Sequence, residues 1–210
     1  MAKPTRGVIV QGTEGDDVLL LGTEGNDSIY GYGGNDRLEG GGGNDTLYAH
    51  GGNDTIFGGD GLDTIAGGEG DDIIDAGAGA DQILTGPGND TITGGAGADR
   101  FFFAQSFETG TNVHTITDFS RAQGDYIDLK SIDADGDSSN NPRRGNTDFV
   151  VVNTPTGAAG EAWMVAILDP MTGEQIGTSV FLNMDSDPSA DMQIDVLGAM
   201  SLTWGIDIFG

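Results

Sequence analysis

The chain has 210 residues, enough for one or two domains, and its 34 acidic against 8 basic residues give a formal charge of −26. That charge opposes nucleic acid, anionic membranes and polyanionic sugars as partners, and it favours cations. Without cysteine there can be no disulfide, thiolate metal site or cysteine nucleophile, and no apolar run reaches the length of a membrane span.

Residues 1–11 read as a lead-in. MAKPTRGVIV carries two basic residues but only Val8, Ile9 and Val10 as an apolar stretch, too short for a cleavable secretory signal. Over residues 12–102 ten nonapeptides share the register G-G-x-G-x-D-x-U-x, where U is a bulky apolar residue. The copies begin at Gly12, Gly22, Gly31, Gly40, Ala49, Gly58, Gly67, Ala76, Thr85 and Gly94, with Leu21 taken as the one extra residue between the first two. Position four is always glycine: Gly15, Gly25, Gly34, Gly43, Gly52, Gly61, Gly70, Gly79, Gly88 and Gly97. Glycine at a fixed place in a tight turn implies positive φ or close backbone approach.

Position six is always aspartate: Asp17, Asp27, Asp36, Asp45, Asp54, Asp63, Asp72, Asp81, Asp90 and Asp99. Position eight is always apolar, and its flanks are too glycine-rich for a helix, so each copy reads as one turn and a minimal strand with one inward side chain. Two copies then complete one coil of a flattened parallel β-roll with strands about 4.8 Å apart. Alternate copies form two facing apolar columns: Leu19, Leu38, Ile56, Ile74 and Ile92 against Ile29, Leu47, Ile65, Ile83 and Phe101. The expected fold class is therefore all-β.

Such stacking sets carboxylates about 5 Å apart along each turn edge, where two unit charges repel by roughly 3 kcal/mol at an effective dielectric near 20. A cation between turns relieves this. The turn offers carboxylates and backbone carbonyls, all oxygen, which suits calcium; magnesium prefers fewer and tighter ligands, and zinc would want the His or Cys that are scarce or absent. The position-six aspartates and position-four glycines are the candidate metal residues. With about four gaps on each edge, the roll would hold up to roughly eight Ca²⁺ ions. Leu62 and Ala80 at position five, and Ala76 at position one, mark copies expected to be weaker. The repeat is identified as that of RTX (repeats-in-toxin) calcium-binding proteins.

Beyond Phe103 glycine thins out, and strands are expected over Val113 to Phe119, Tyr126 to Leu129, Phe149 to Val152, Ala162 to Leu168, Ile176 to Leu182 and Trp204 to Phe209. A polar loop, Asp133 to Asp148, interrupts them. Residues 103–210 read as a β-rich cap on the end of the roll, because a solenoid leaves its last coil unpaired. Here ADRFFF (Ala98 to Phe103), TITDFS (Thr115 to Ser120) and YIDLKSIDAD (Tyr126 to Asp135) resemble the C-terminal region of serralysin-type M10 peptidases, as does the Asp-rich run 185–195. The R-modules of mannuronan epimerases are similar. His114 stands where that family usually has an acidic residue.

The resemblance implies a bacterial protein exported by a type I (ABC transporter) system through an uncleaved C-terminal signal, here the segment Gly205 to Gly210. His-Glu-x-x-His and Gly-x-Ser-x-Gly are both absent, and the only histidines are His50 and His114, so no catalytic residue is assigned. Asp133 to Asp137 has the flavour of a calcium loop but lacks the Glu that would close one, so it reads as a solvated polar loop before a local ion site, and Asp185, Asp187 and Asp191 read the same way. The expected function is a secreted, non-catalytic calcium-binding module, folded by extracellular calcium and neither bound to nucleic acid nor inserted in a membrane. The alternatives are a module for an alginate-like extracellular polysaccharide, or the C-terminal part of a metallopeptidase without its catalytic domain.

Overall fold

The computed structural model describes residues 6–103, 112–129, 150–151, 161–168, 171–172, 174–183, 192–198 and 208–209. Among them there is no helix. The strands are β1 (Ile9–Gln11), β2 (Leu20–Leu21), β3 (Ser28–Gly33), β4 (Arg37–Gly42), β5 (Thr46–Gly51), β6 (Thr55–Asp60), β7 (Thr64–Glu69), β8 (Ile73–Ala78), β9 (Gln82–Leu84), β10 (Thr91–Thr93) and β11 (Arg100–Phe102) through the repeats. After them come β12 (Asn112–Ile116), β13 (Tyr126–Asp128), β14 (Val150–Val151), β15 (Glu161–Leu168), β16 (Gln175–Asn183), β17 (Met192–Leu197) and β18 (Ile208–Phe209).

Odd and even strands of the repeats separate into two sheets. One runs β1-β3-β5-β7-β9-β11-β13-β18, the other β2-β4-β6-β8-β10-β12-β17-β16-β15-β14. Through the repeats every pairing is parallel, and all but β1–β3, which is offset by 19, join residues 18 apart: Ile29, Leu47, Ile65, Ile83 and Phe101 are in register in one sheet, and Leu38, Ile56, Ile74 and Ile92 in the other. All nine are at most 1% exposed, so the core is the pair of facing columns. The fold is the parallel β-roll expected of this repeat.

The strands are longer than a minimal one. Most run six residues, from position seven of one copy to position three of the next, and bury alternate residues. Position one therefore also points inward, where Ala49 and Ala76 are fully buried beside the large position-eight side chains. Two residues apart on a strand means the same face, and that face is the core.

The first coil departs from the expected columns. Leu20, not Leu19, pairs with Leu38 and is 8% exposed, whereas Leu19 is 46% and Val18 is 90% exposed. The extra residue therefore lies between Asp17 and Leu20, not at Leu21. The turn keeps Asp17 in place, since its N–H bonds Asp36 and its carbonyl accepts from Arg37, so the slack must be taken up just after it. Leu20→Ala is expected to cost about 2 to 3 kcal/mol, as for other buried leucines, and Leu19→Ala less than about 0.5 kcal/mol. Urea denaturation of the calcium-loaded protein measures both; equal losses would contradict this register.

The columns outrun the repeats. Ile127 continues the Phe101 column, and Ile116 and then Val196 continue the Ile92 column, all through parallel pairs. Only beyond β17 does the second sheet turn antiparallel, through β16 and β15. β17 falls partly in the run read above as Asp-rich, yet Met192, Ile194 and Val196 alternate inward and are fully buried. Arg100 ties the last repeat to β13 by pairing with Asp128, its guanidinium lying 4.1 Å from the Phe102 ring centre. The Asp133 to Asp148 loop and Asp185, Asp187 and Asp191 lie outside the described residues.

Candidate metal centre

Two turn edges run along the roll, and each is a column of position-six aspartates. In every carboxylate but that of Asp17, one oxygen holds the stack together. The N–H of Asp27 donates to Asp45 Oδ1 at 2.8 Å, that of Asp45 to Asp63 at 2.8 Å, and that of Asp63 to Asp81 at 2.8 Å. On the other edge Asp36 donates to Asp54 at 2.7 Å, and Asp54 to Asp72 at 2.9 Å.

The second oxygen has no such use. Asp36, Asp45, Asp54, Asp63, Asp72, Asp81 and Asp99 each have a buried Oδ2 without a hydrogen-bond partner, and none of these residues is more than 3% exposed. Buried polar atoms are nearly always paired, so seven equivalent orphans in register are a demand for a common partner. Burial is the first cause raising their affinity for protons: Asp72 and Asp81 are pushed up to about 7, and Asp45, Asp54 and Asp99 to about 6. Asp36 and Asp63 are raised as well. Neighbouring aspartates push Asp36, Asp45, Asp54, Asp63, Asp72, Asp81 and Asp99 the same way, and the bond from the backbone N–H works against both effects.

The glycines bring backbone oxygen to the same turns. Seven of the position-four glycines have positive φ: Gly34, Gly43, Gly52, Gly61, Gly70, Gly88 and Gly97. A Cβ on Gly61 would lie 1.8 Å from the carbonyl oxygen of Gly43, and one on Gly79 1.5 Å from that of Gly61. Only glycine leaves that space to a carbonyl. Among the described residues no three acidic or histidine side chains converge as a ligand cluster, so carboxylates alone make no cage here. Orphaned carboxylate oxygens plus turn carbonyls are a donor set of hard oxygens, which fits Ca²⁺.

The ten aspartates are not alike. Asp17 Oδ2 accepts the N–H of Thr13 at 2.7 Å, Asp27 Oδ2 accepts that of Thr23 at 2.5 Å, and Asp90 Oδ2 lies 3.0 Å from Nδ1 of the fully buried His114. Among the position-four glycines, Gly15 has open space where a Cβ would go. Leu62 and Ala80 leave the neighbouring Asp63 and Asp81 in their stack with orphaned Oδ2 atoms.

What those two copies lose is a second ladder that the repeat reading missed. Position-five Asn or Asp side chains accept the position-five N–H of the next coil. On one edge the chain Asp16, Asn35, Asn53, Asp71, Asn89 and Val113 is continuous, at 2.7 to 3.0 Å. On the other it runs from Asn26 through Asn44 to the N–H of Leu62 and ends there, since leucine has no acceptor. The recurrence of Asn and Asp at position five was visible in the sequence as its signal.

At position two, Tyr32 and His50 hold a left-handed backbone at φ 77, where Gly41, Gly59, Gly68, Gly77 and Gly95 sit in other copies. Their rings stack 5.7 Å apart, and Tyr30 and Tyr48 stack beside them at 5.6 Å.

A family model for the RTX calcium-binding nonapeptide repeat (4 copies) matches residues 11–47, 48–83 and 75–105. Residues 11–105 are RTX calcium-binding repeats. The roll is thus a calcium-binding module. No curated protein matches the chain. Among solved structures, the solution structure of the AlgE6R3 subunit from the Azotobacter vinelandii mannuronan C5-epimerase aligns over 99% of this chain and 85% of that one, at 23% identity and a TM-score of 0.41.

Proposed function

We propose that the RTX roll is a secreted, non-catalytic module that stays unfolded and exportable in the calcium-poor cytosol and folds when it meets extracellular calcium. The observation that carries this is the row of orphaned Oδ2 atoms. Buried carboxylates without a partner oppose folding, and an ion that supplies the partner makes binding and folding one event. The position-six aspartates with an orphaned Oδ2 and the carbonyls beside the position-four glycines would hold the ions. When bound, calcium supplies charge neutralisation and a link between consecutive coils. Residues 103–210, resembling the serralysin-type C-terminal region, would cap the roll and carry the signal for a type I exporter.

The test is a calcium titration of the chelated chain followed by far-ultraviolet circular dichroism. The expected midpoint lies at about 10⁻⁴ to 10⁻³ M, the range of extracellular modules. A midpoint near 10⁻⁷ M, at roughly the tightest end of sensor-type sites, would let the chain fold before export and would overturn the reading.

A second reading, binding of an extracellular polysaccharide, draws support from the stacked rings of Tyr30, Tyr32, Tyr48 and His50, of which Tyr32 and His50 are exposed. Left-handed backbone in a non-glycine residue costs about 1 to 3 kcal/mol and is kept most often where a site uses it. The charge of −26 disfavours a polyanion such as alginate. Calorimetry with alginate oligomers and with neutral oligosaccharides separates the two readings.

A further inference from the structure

We infer that the calcium rows stop inside the roll, because groups of the protein itself take the ion's place at all four row ends. This deepens the calcium-folding reading and rests on it. One edge runs Asp17, Asp36, Asp54, Asp72 and Asp90, each Oδ1 from Asp36 on accepting the N–H of the aspartate before it. The other runs from Asp27 to Asp99 in the same manner, and Asp125 then accepts the N–H of Asp99 at 3.1 Å. Asp125 thus extends the row by one coil, 26 residues beyond Asp99 and outside the repeat register.

Among the described residues, orphaned carboxylate oxygens occupy only the interiors of these rows: three on the first edge and four on the second. Each of the four terminal carboxylates has its Oδ2 engaged. Asp17 and Asp27 take the position-two N–H of their own turns, from Thr13 and Thr23, and the Thr23 hydroxyl adds a contact of 3.0 Å. Asp125 takes the N–H of Ser120 at 2.7 Å, a similar closure across five residues instead of four. Asp90 is closed differently. Thr91 pairs with Thr115, which puts His114 in the register where the next aspartate would stand. Its ring carries Nδ1 to Asp90, packs 5.2 Å from the Phe103 ring, and leaves its own Nε2 buried without a partner.

An N–H and a cation compete for the same lone pairs, and an N–H already seated repels an incoming ion. The two kinds of carboxylate therefore divide the labour. Interior ones wait for calcium; terminal ones are closed by the chain. A row that ended in an orphan would leave a half-liganded ion or an unpaired buried charge at each end. The stack would hold one ion per orphaned oxygen, seven in all, where gap counting along the repeats suggests about eight.

The experiment counts bound calcium on the folded full chain, by native mass spectrometry and by equilibrium dialysis at saturating calcium, with circular dichroism run on the same samples. The wild type is expected to hold seven ions, Asp17→Asn and Asp90→Asn seven, and Asp72→Asn six. His114→Asp, which returns a carboxylate to the register, is expected to gain one. Loss of an ion in Asp17→Asn or Asp90→Asn, or a wild-type count other than seven, overturns the inference. So does failure of Asp17→Asn to fold at saturating calcium, since a closed end has no ion to lose. If the wild type binds no calcium, or folds alike with and without it, the underlying calcium-folding reading fails instead.

Discussion

Chelating calcium from the folded chain at neutral pH is expected to abolish its β-sheet signal, and about 1 M sodium chloride is expected not to restore it. The largest opposing term is electrostatic. The protein carries −26 formal charges, and each turn edge aligns carboxylates through hydrogen bonds that fix their spacing. At about 5 Å and an effective dielectric near 20, each adjacent pair repels by roughly 3 kcal/mol. Desolvation adds to this, since the orphaned oxygens sit on residues no more than 3% exposed. Salt near 1 M shortens the screening length to about 3 Å, which quenches exposed charges such as Asp16 and Asp71, but mobile ions do not reach a buried oxygen. A bound divalent ion answers both terms at one point. Far-ultraviolet circular dichroism and small-angle scattering read the result: strand signal lost, and a radius of gyration rising toward about 50 Å for an unfolded chain of this length. Strand signal that survives chelation, or returns with sodium chloride alone, would sink the argument.

Gly61→Ala is expected to be strongly damaging and Gly15→Ala close to harmless, although both alter position four of the repeat. A Cβ at Gly61 would stand 1.8 Å from the Gly43 carbonyl oxygen and 2.6 Å from its carbon, and the backbone there has φ +144. Neither partner can yield, because the carbonyl belongs to the adjacent coil and the stacked strands fix its distance. Strained φ costs about 1 to 3 kcal/mol and overpacking a similar amount, so a loss of about 3 kcal/mol or more is expected. In a protein of this size that lowers the calcium-saturated melting temperature by roughly 6 to 12 °C. Gly15 lies at the first turn, has nothing within 4 Å of a Cβ and lacks positive φ. Alanine there reduces the freedom of the unfolded chain and should shift stability by less than about 1 kcal/mol. Equal effects at the two sites would mean that stacking of coils is not what position four protects.

Most of the roll could be read from residue order because its contacts are periodic. When every partner lies 18 residues away, a column in the sequence is a column in space, and Ile29, Leu47, Ile65 and Ile83 need no further information to find one another. Reading went astray where the period broke. One inserted residue left Leu19 and Leu20 both plausible for the same slot, and only the hydrogen bonds that hold Asp17 in its turn choose Leu20. His114 and Asp125 follow their predecessors by 24 and 26 residues, so no repeat count leads to either. Met192, Ile194 and Val196 alternate as a strand does, but the first two fall inside the acidic run 185–195, whose charges mask the pattern.

The amino-acid sequence alone determined the class of the fold and the identity of the ion, and it marked out the aspartates and glycines that are candidates to hold it. Ten aspartates and ten glycines in one register leave few other uses for so much oxygen and so little side chain. The folded structure decided which of those aspartates keep a buried carboxylate oxygen without a hydrogen-bond partner. That distinction rests on a second carboxylate oxygen either meeting an N–H of Thr13, Thr23 or His114 or meeting nothing. Such a bond is a matter of a few tenths of an ångström and of the direction of one backbone N–H, which identical Asp residues in a repeat do not encode until the chain is folded around them.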